Sequence, residues 1–279
     1  LTKKSKALPI HPKIRISPQI APIHPGTLIP TPLFDEALTT PFPLCHKTSV
    51  HMELIGKIAL IIHVIAGGST LITGPLAIFY NFKDPKKHRI VGKTFFYAML
   101  VVVISSVSGL IKHPDSAFYQ FLFGLSILVL CQILRGVRSI FLMKGGAVTN
   151  LDWTYTTVLG LNGVWMLSMA AWHFSLGTMI AIPILFSVFG AMSLLDVPKN
   201  WRVFSQPQLL HRLDWMRLHT STMLGAFTAS TTAFTVNAAH FLPWWAQWFG
   251  PTLLLLPLQI YFGGKLKTMR KKAVPAIAA

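Results

Sequence analysis

The stretch IALIIHVIAGGSTLITGPLAIFYNFKDPKKHRIVGK, Ile58 to Lys93, decides the fold. From Ile58 to Phe82 no residue is charged for 25 positions, and about 20 apolar residues carry a helix across the hydrocarbon core. The run breaks into a short basic loop and resumes as a second apolar run. It reads as a membrane-spanning helix with one histidine, His63, at depth. Gly67, Gly68, Ser69 and Gly74 give that helix a small face that neighbours can approach. Pro75 predicts a kink, tolerated where neighbours satisfy the freed carbonyl.

Composition extends this reading to the whole chain. Hydrophobic residues make up 52% and charged residues 12%, with a mean hydropathy of +0.55, whereas soluble domains carry about 25% charged residues. The class is a polytopic, all-α membrane protein. The formal charge of +17 does not point to nucleic acid, because the basic residues fall in the gaps between apolar runs, where they set topology. Cys45 and Cys131 form neither a disulfide framework nor a CxxC signature. No Walker loop, dinucleotide-binding glycine pattern, HExxH or nucleophile elbow is present. Hydrolase and phosphoryl-transfer chemistry therefore have no support, and no catalytic residue or metal-ligand motif is assigned. The uncharged runs contain no carboxylate, which speaks against a proton-driven pump.

Counting uncharged intervals predicts seven spans. The first three fall at about residues 55–80, 94–111 and 116–134. The interval from Trp153 to Leu195 splits at HFSLG (His173 to Gly177), and the interval from Leu218 to Gly264 splits around Pro243. The sixth span, LHTSTMLGAFTASTTAFTVNAAH, is crowded with Thr, Ser, Ala and Gly, so it is expected at the centre of the bundle, packed on the first. An odd number of spans puts the termini on opposite sides. The loops on one side hold five, three, four and five Lys or Arg, and the loops on the other hold Lys112 alone. That asymmetry predicts an inner C-terminus and an outer N-terminus. Trp153, Trp201 and Trp215 then mark the inner interface, and Trp172, Trp244, Trp245 and Trp248 the outer one. The six basic residues of the N-terminal tail are the one conflict.

Three regions follow: an arm at 1–52, a bundle at 53–264 and a basic inner tail at 265–279. Prolines from Pro9 to Pro43 deny the arm regular helix and favour extended backbone. LIPTPLF and FPL supply apolar anchors, so the arm is read either as disordered or as laid along a partner protein. The start at Leu1 rather than Met fits a removed leader or missing residues, and no signal peptide is visible.

Histidine is the remaining candidate for chemistry. In this topology His63, His113, His173 and His240 fall in the outer half, and His88, His211 and His219 towards the inner side. Neutral imidazoles from facing helices can hold a b-type haem between them. The expected outer pair is His63 with His173 or His240, and the expected inner pair is His88 with His219. Against this stands a plainer reading, that histidines at helix ends bond water, headgroups or a last carbonyl. The basic loop at Lys86, Lys87, Arg89 and Lys93 reads first as a topology signal and second as a site for anionic lipid such as cardiolipin.

The residues carrying HVIAGGSTLITGPLAIF and KHRIVGKTFFYAMLVVVISSVSGL include His63, Gly67, Gly74, Pro75, His88, Arg89, Gly92 and Gly109. With HRLDWMR at His211, Arg212, Trp215, Met216 and Arg217, the pattern resembles a family of uncharacterised, mostly bacterial multipass proteins, domain of unknown function 2306. The resemblance covers about residues 55–240 and implies a membrane bundle without an established activity.

Two functions are expected from this sequence. One is a non-catalytic membrane subunit of a larger inner-membrane assembly, in keeping with a respiratory complex, with the arm gripping neighbours and the basic side holding lipid. The other is a haem-bearing transmembrane electron carrier centred on His63 and His219. The mitochondrial inner membrane is favoured over a bacterial plasma membrane, because long basic arms are common on supernumerary subunits there.

Overall fold

The computed structural model describes residues 43–81 and 83–273, with side chains placed from Glu53 to Lys272. The arm expected at 1–52 lies outside the described residues except for its last part, which is helical from Pro43. Among the described residues seven long helices follow one another: α1 (Pro43–Tyr80), α2 (Pro85–Lys112), α3 (Ala117–Met143), α4 (Asn150–Ser175), α5 (Ala181–Ser205), α6 (Arg212–Ala238) and α7 (Trp244–Ala273). A 3-10 turn at Pro207–Leu209 precedes α6.

All seven outlast the uncharged intervals, because backbone hydrogen bonding continues through charged residues that reach water or a partner. Four of them, α1 from Glu53, α2, α3 and α5, are long and apolar enough to cross a membrane. The other three, α4, α6 and α7, are 26, 27 and 30 residues long and are not among these four. Much of the polarity of α6 is satisfied within its own turns: Thr222, Thr228, Thr231 and Thr235 each donate to the carbonyl four residues back.

Local chemistry sets the ends. Asp84 caps α2, accepting from the backbone N–H of Lys86 and Lys87, with Pro85 at the first helical position. The basic run around it is therefore the first turns of α2 rather than a loop. Capping boxes start α4, through Thr149 and Asp152, and α6, through His211 and Asp214. Gly145 (φ 89°) and Gly177 (φ 64°) turn the chain after α3 and α4, in the left-handed region that disfavours other residues. The basic stretch from Lys265 continues α7 to Ala273 rather than starting a separate tail.

The centre of the bundle is α3, which packs on α2, α4, α5 and α6, while α6 lies between α3 and α7. The sixth helix shares the interior with α3: it packs along α3 and α7 and also meets α2 and, at single residues, α1. One apolar cluster joins Phe95, Met99 and Val103 of α2 to Ile133 of α3 and Phe227 of α6. Another joins Phe121 of α3, Met166 of α4, Phe186 of α5 and Trp248 of α7. By contrast α1 meets the bundle at isolated points, among them a hydroxyl pair between Thr70 and Ser230, and Gly74, where a Cβ would overlap the Phe227 ring. Its remaining faces expose Ile61, Val64, Ile65 and Ile72, as a helix bathed in lipid does.

Candidate functional sites

Two features stand out at the basic end of the bundle. The first is a histidine pair. His88 sits in the second turn of α2, and its Nδ1–H donates to the Ala77 carbonyl of α1 (2.9 Å). His219 of α6 donates Nδ1–H to the Gly136 carbonyl of α3 (2.8 Å). A carbonyl only accepts, so each neutral ring carries its proton on Nδ1 and keeps a free lone pair on Nε2. The ring centroids lie 6.4 Å apart with planes at 81°. Both rings line one small cavity of about 60 Å³ with Gly74, Phe95, Met223 and Phe262. The close approach of α3 to α6 that seats His219 depends on Gly136, where a Cβ would collide with Met223 and Thr222.

The other histidines of the haem reading have separate surroundings. His63 is half-buried on α1, its Nδ1 2.9 Å from Ser105 Oγ of α2. That hydroxyl also lies within hydrogen-bond distance of the Val101 and Val102 carbonyls. His173 is buried in α4 with its ring stacked on Phe186 (5.7 Å), and neither ring nitrogen has a partner among the described residues. His240 is exposed in the turn between α6 and α7. His113 stacks on Tyr119, and His211 caps α6. The structure brings His88 to His219 and gives His63, His173 and His240 three different neighbourhoods. A macrocycle needs a pocket in the range of about 300–1,000 Å³, which the 60 Å³ beside His88 and His219 does not supply with these side chains in place.

The second feature is a slot of about 610 Å³ between α3, α5, α6 and α7. Its basic end carries Arg135, Asp196, Lys199, Asn200, Asp214 and Arg217, and its far end reaches Thr232 and Phe249. Arg217 to Thr232 spans about 22 Å along α6 at 1.5 Å per residue. An adjoining groove of about 430 Å³ between α6 and α7 shares Arg217, Ser221 and Gln259 with it and adds Lys267. The Ser221, Thr222 and Thr228 hydroxyls on the walls are already bonded to carbonyls of α6, so they ask nothing of an occupant.

The charges at the mouth are unequal. Arg135, only 7% exposed, donates Nη1 to Asn200 Oδ1 (2.6 Å) and Nη2 to Asp196 Oδ2 (3.1 Å), while its buried Nε has no partner among the described residues. Lys199 also pairs with Asp196 (3.0 Å), and Arg270 pairs with Asp214 (3.1 Å). Both carboxylates are thus already matched, and Arg217 has no acidic partner among the described residues. Beside the slot, Arg138 grips Asp152 in a fork, Nε to Oδ1 at 2.8 Å and Nη2 to Oδ2 at 2.5 Å, with Asp152 fully buried.

These arginines and aspartates are what the reading of the sequence missed. Arg135, Arg138 and Asp196 mark the edges of uncharged runs and so read as loop residues. The available signal is spacing: Asp196 with Asn200, and Asp152 with Thr156, recur at four residues and share a helix face. Of the candidate lipid residues, Lys86, Lys87, Arg89 and Lys93 are all exposed on the first turns of α2, and Lys87 lies 3.8 Å from Asp84. No group of three His, Cys, Asp or Glu suited to a metal ion occurs among the described residues. No family, curated protein or solved structure matches the chain.

Proposed function

We propose that this chain is a seven-span, non-catalytic membrane subunit that holds an anionic amphiphile, a phosphate- or carboxylate-headed lipid, in the slot between α3, α5, α6 and α7. The observation that carries the reading is the uneven mouth: a buried Arg135 with a spare Nε–H, and Arg217 without a carboxylate, at the entrance to a slot about 22 Å deep. An acyl chain suits the mostly apolar stretch of wall from Leu125, Leu128 and Val129 to Val188 and Phe189, and an anionic head suits unspent guanidinium donors. In this reading α4, α6 and α7 cross the bilayer with the four more apolar helices. The N-terminus is outside, the C-terminus is inside, and the arm docks on neighbouring subunits of an inner-membrane assembly.

The test uses full-length protein in nanodiscs of neutral lipid, titrated with pyrene-labelled phosphatidylglycerol and, in a second arm, with inorganic phosphate. Saturable binding of about one labelled lipid per chain is expected. Arg217→Ala should weaken it roughly fivefold, at about 1 kcal/mol per basic residue near a membrane surface. Phosphate alone should compete poorly. Binding that is non-saturable, or indifferent to both Arg217→Ala and Lys199→Ala in folded protein, overturns the proposal.

A further inference from the structure

The geometry points to a metal site at the histidine pair: His88 and His219 form a two-coordinate site for one monovalent soft cation, Cu(I). Two metal–nitrogen bonds of about 2.0 Å and the half-widths of two imidazole rings add up to about the 6.4 Å that separates the ring centroids. Both rings are held in the tautomer a metal needs. In each, the Nδ1–H is fixed by a main-chain carbonyl from another helix, Ala77 for His88 and Gly136 for His219. This second-shell bond is the one that orients metal-ligating histidines and raises their basicity. Four helices therefore converge to seat two rings of this tautomer on one cavity.

The size and charge of the cavity select the ion. About 60 Å³ accepts a bare ion and excludes a macrocycle. Its lining has no carboxylate or thiolate, and exposed Lys86, Lys87 and Arg89 sit on the same turns as His88. A dication there would bring two positive charges into an apolar site with nothing to neutralise them. It would also lack the four ligands that Zn²⁺ takes. A monovalent d¹⁰ ion is satisfied by two opposed imidazoles and brings a single charge. Met223, which lines the same cavity, adds a thioether within the site, the soft donor type that selects Cu(I).

The experiment is an anaerobic titration of the purified full-length protein, in a Cys45→Ser, Cys131→Ser background, with Cu(I) held by a chromophoric competing chelator. X-ray absorption is recorded on the loaded protein. One Cu(I) per chain is expected, with a two-nitrogen first shell at short, near-linear distances. His88→Gln and His219→Gln should each weaken binding by roughly 100-fold, the upper end of what even supporting residues contribute to metal affinity. Met223→Leu should weaken it less. Thermal melts on the apo variants identify any that fail to fold, and Met223→Leu together with the absorption shell then carries the test. Folded protein that takes up no Cu(I), or takes it up equally well in both glutamine variants, overturns the inference. So does a b-type haem spectrum lost on His219→Gln, which would assign the pair to a porphyrin. Because the lipid slot lies on a different face of α6, failure here leaves the labelled-lipid result standing, and the reverse holds too.

Discussion

The shortest ion pair among the described residues, Arg138 with Asp152, belongs to neither proposed site. Asp152 is fully buried and held by the Arg138 fork, the Thr149 backbone N–H (2.8 Å) and the Tyr155 hydroxyl (3.3 Å). It ties the C-terminal part of α3 to the first turn of α4. Removing one partner leaves a buried charge unmatched, at about 3–5 kcal/mol. Arg138→Ala should therefore lower Tm by roughly 6–20 °C at about 2–4 °C per kcal/mol, read by scanning fluorimetry in detergent. The paired replacement Arg138→Met with Asp152→Leu should recover most of that loss, because it removes both charges together. Arg135 is held differently, by one carboxylate and one amide with a donor to spare. Arg135→Lys should keep the fold and lose labelled-lipid affinity, since an ammonium cannot reproduce the planar fork.

Between helices, the closest approach is set by glycine. A Cβ on Gly163 would stand 3.1 Å from the Gly190 carbonyl, and one on Gly190 would stand 3.2 Å from the Gly163 carbonyl. These are backbone atoms that cannot swing aside, so α4 and α5 touch main chain to main chain. Gly190→Val should push them apart and cost about 1–3 kcal/mol, measured as a lower Tm with the Cu(I) site unaffected. Gly225→Ala faces only the Gln132 side chain and should be mild. How much of this was legible in the sequence varies by element. The turns at HFSLG and around Pro243 fall where the helices break, because glycine and proline act locally. The extension of α3 through Arg135 and Arg138 was not legible, since its charges are matched by residues of α4 and α5 that only folding brings near. For the same reason the sequence places His88 and His219 on one side but cannot tell that main-chain carbonyls hold their Nδ1 protons.

For the whole molecule the main prediction concerns sidedness. The proposed seven crossings would put the turn at Phe241, which is 85% exposed, and the basic end of α7 at Lys267 on opposite faces of the bilayer. Single cysteines at these positions in a Cys45→Ser, Cys131→Ser background should react differently with an impermeant maleimide in sealed vesicles. Phe241→Cys should label from outside, and Lys267→Cys only after lysis. Labelling of both from one side would mean that α7 does not cross. The sparse seating of α1 has a further consequence in time. Its hydroxyl partner Ser230 lies 160 residues downstream of Thr70, about 8–32 s later at 5–20 residues per second of synthesis. The first of these seven helices can thus meet α2 early, through His63 and Ala77, but its contact with α6 is made last. Through that interval the face of α1 around Thr70 and Gly74 stays open, available to whatever insertion factor or neighbouring chain reaches it before α6 does.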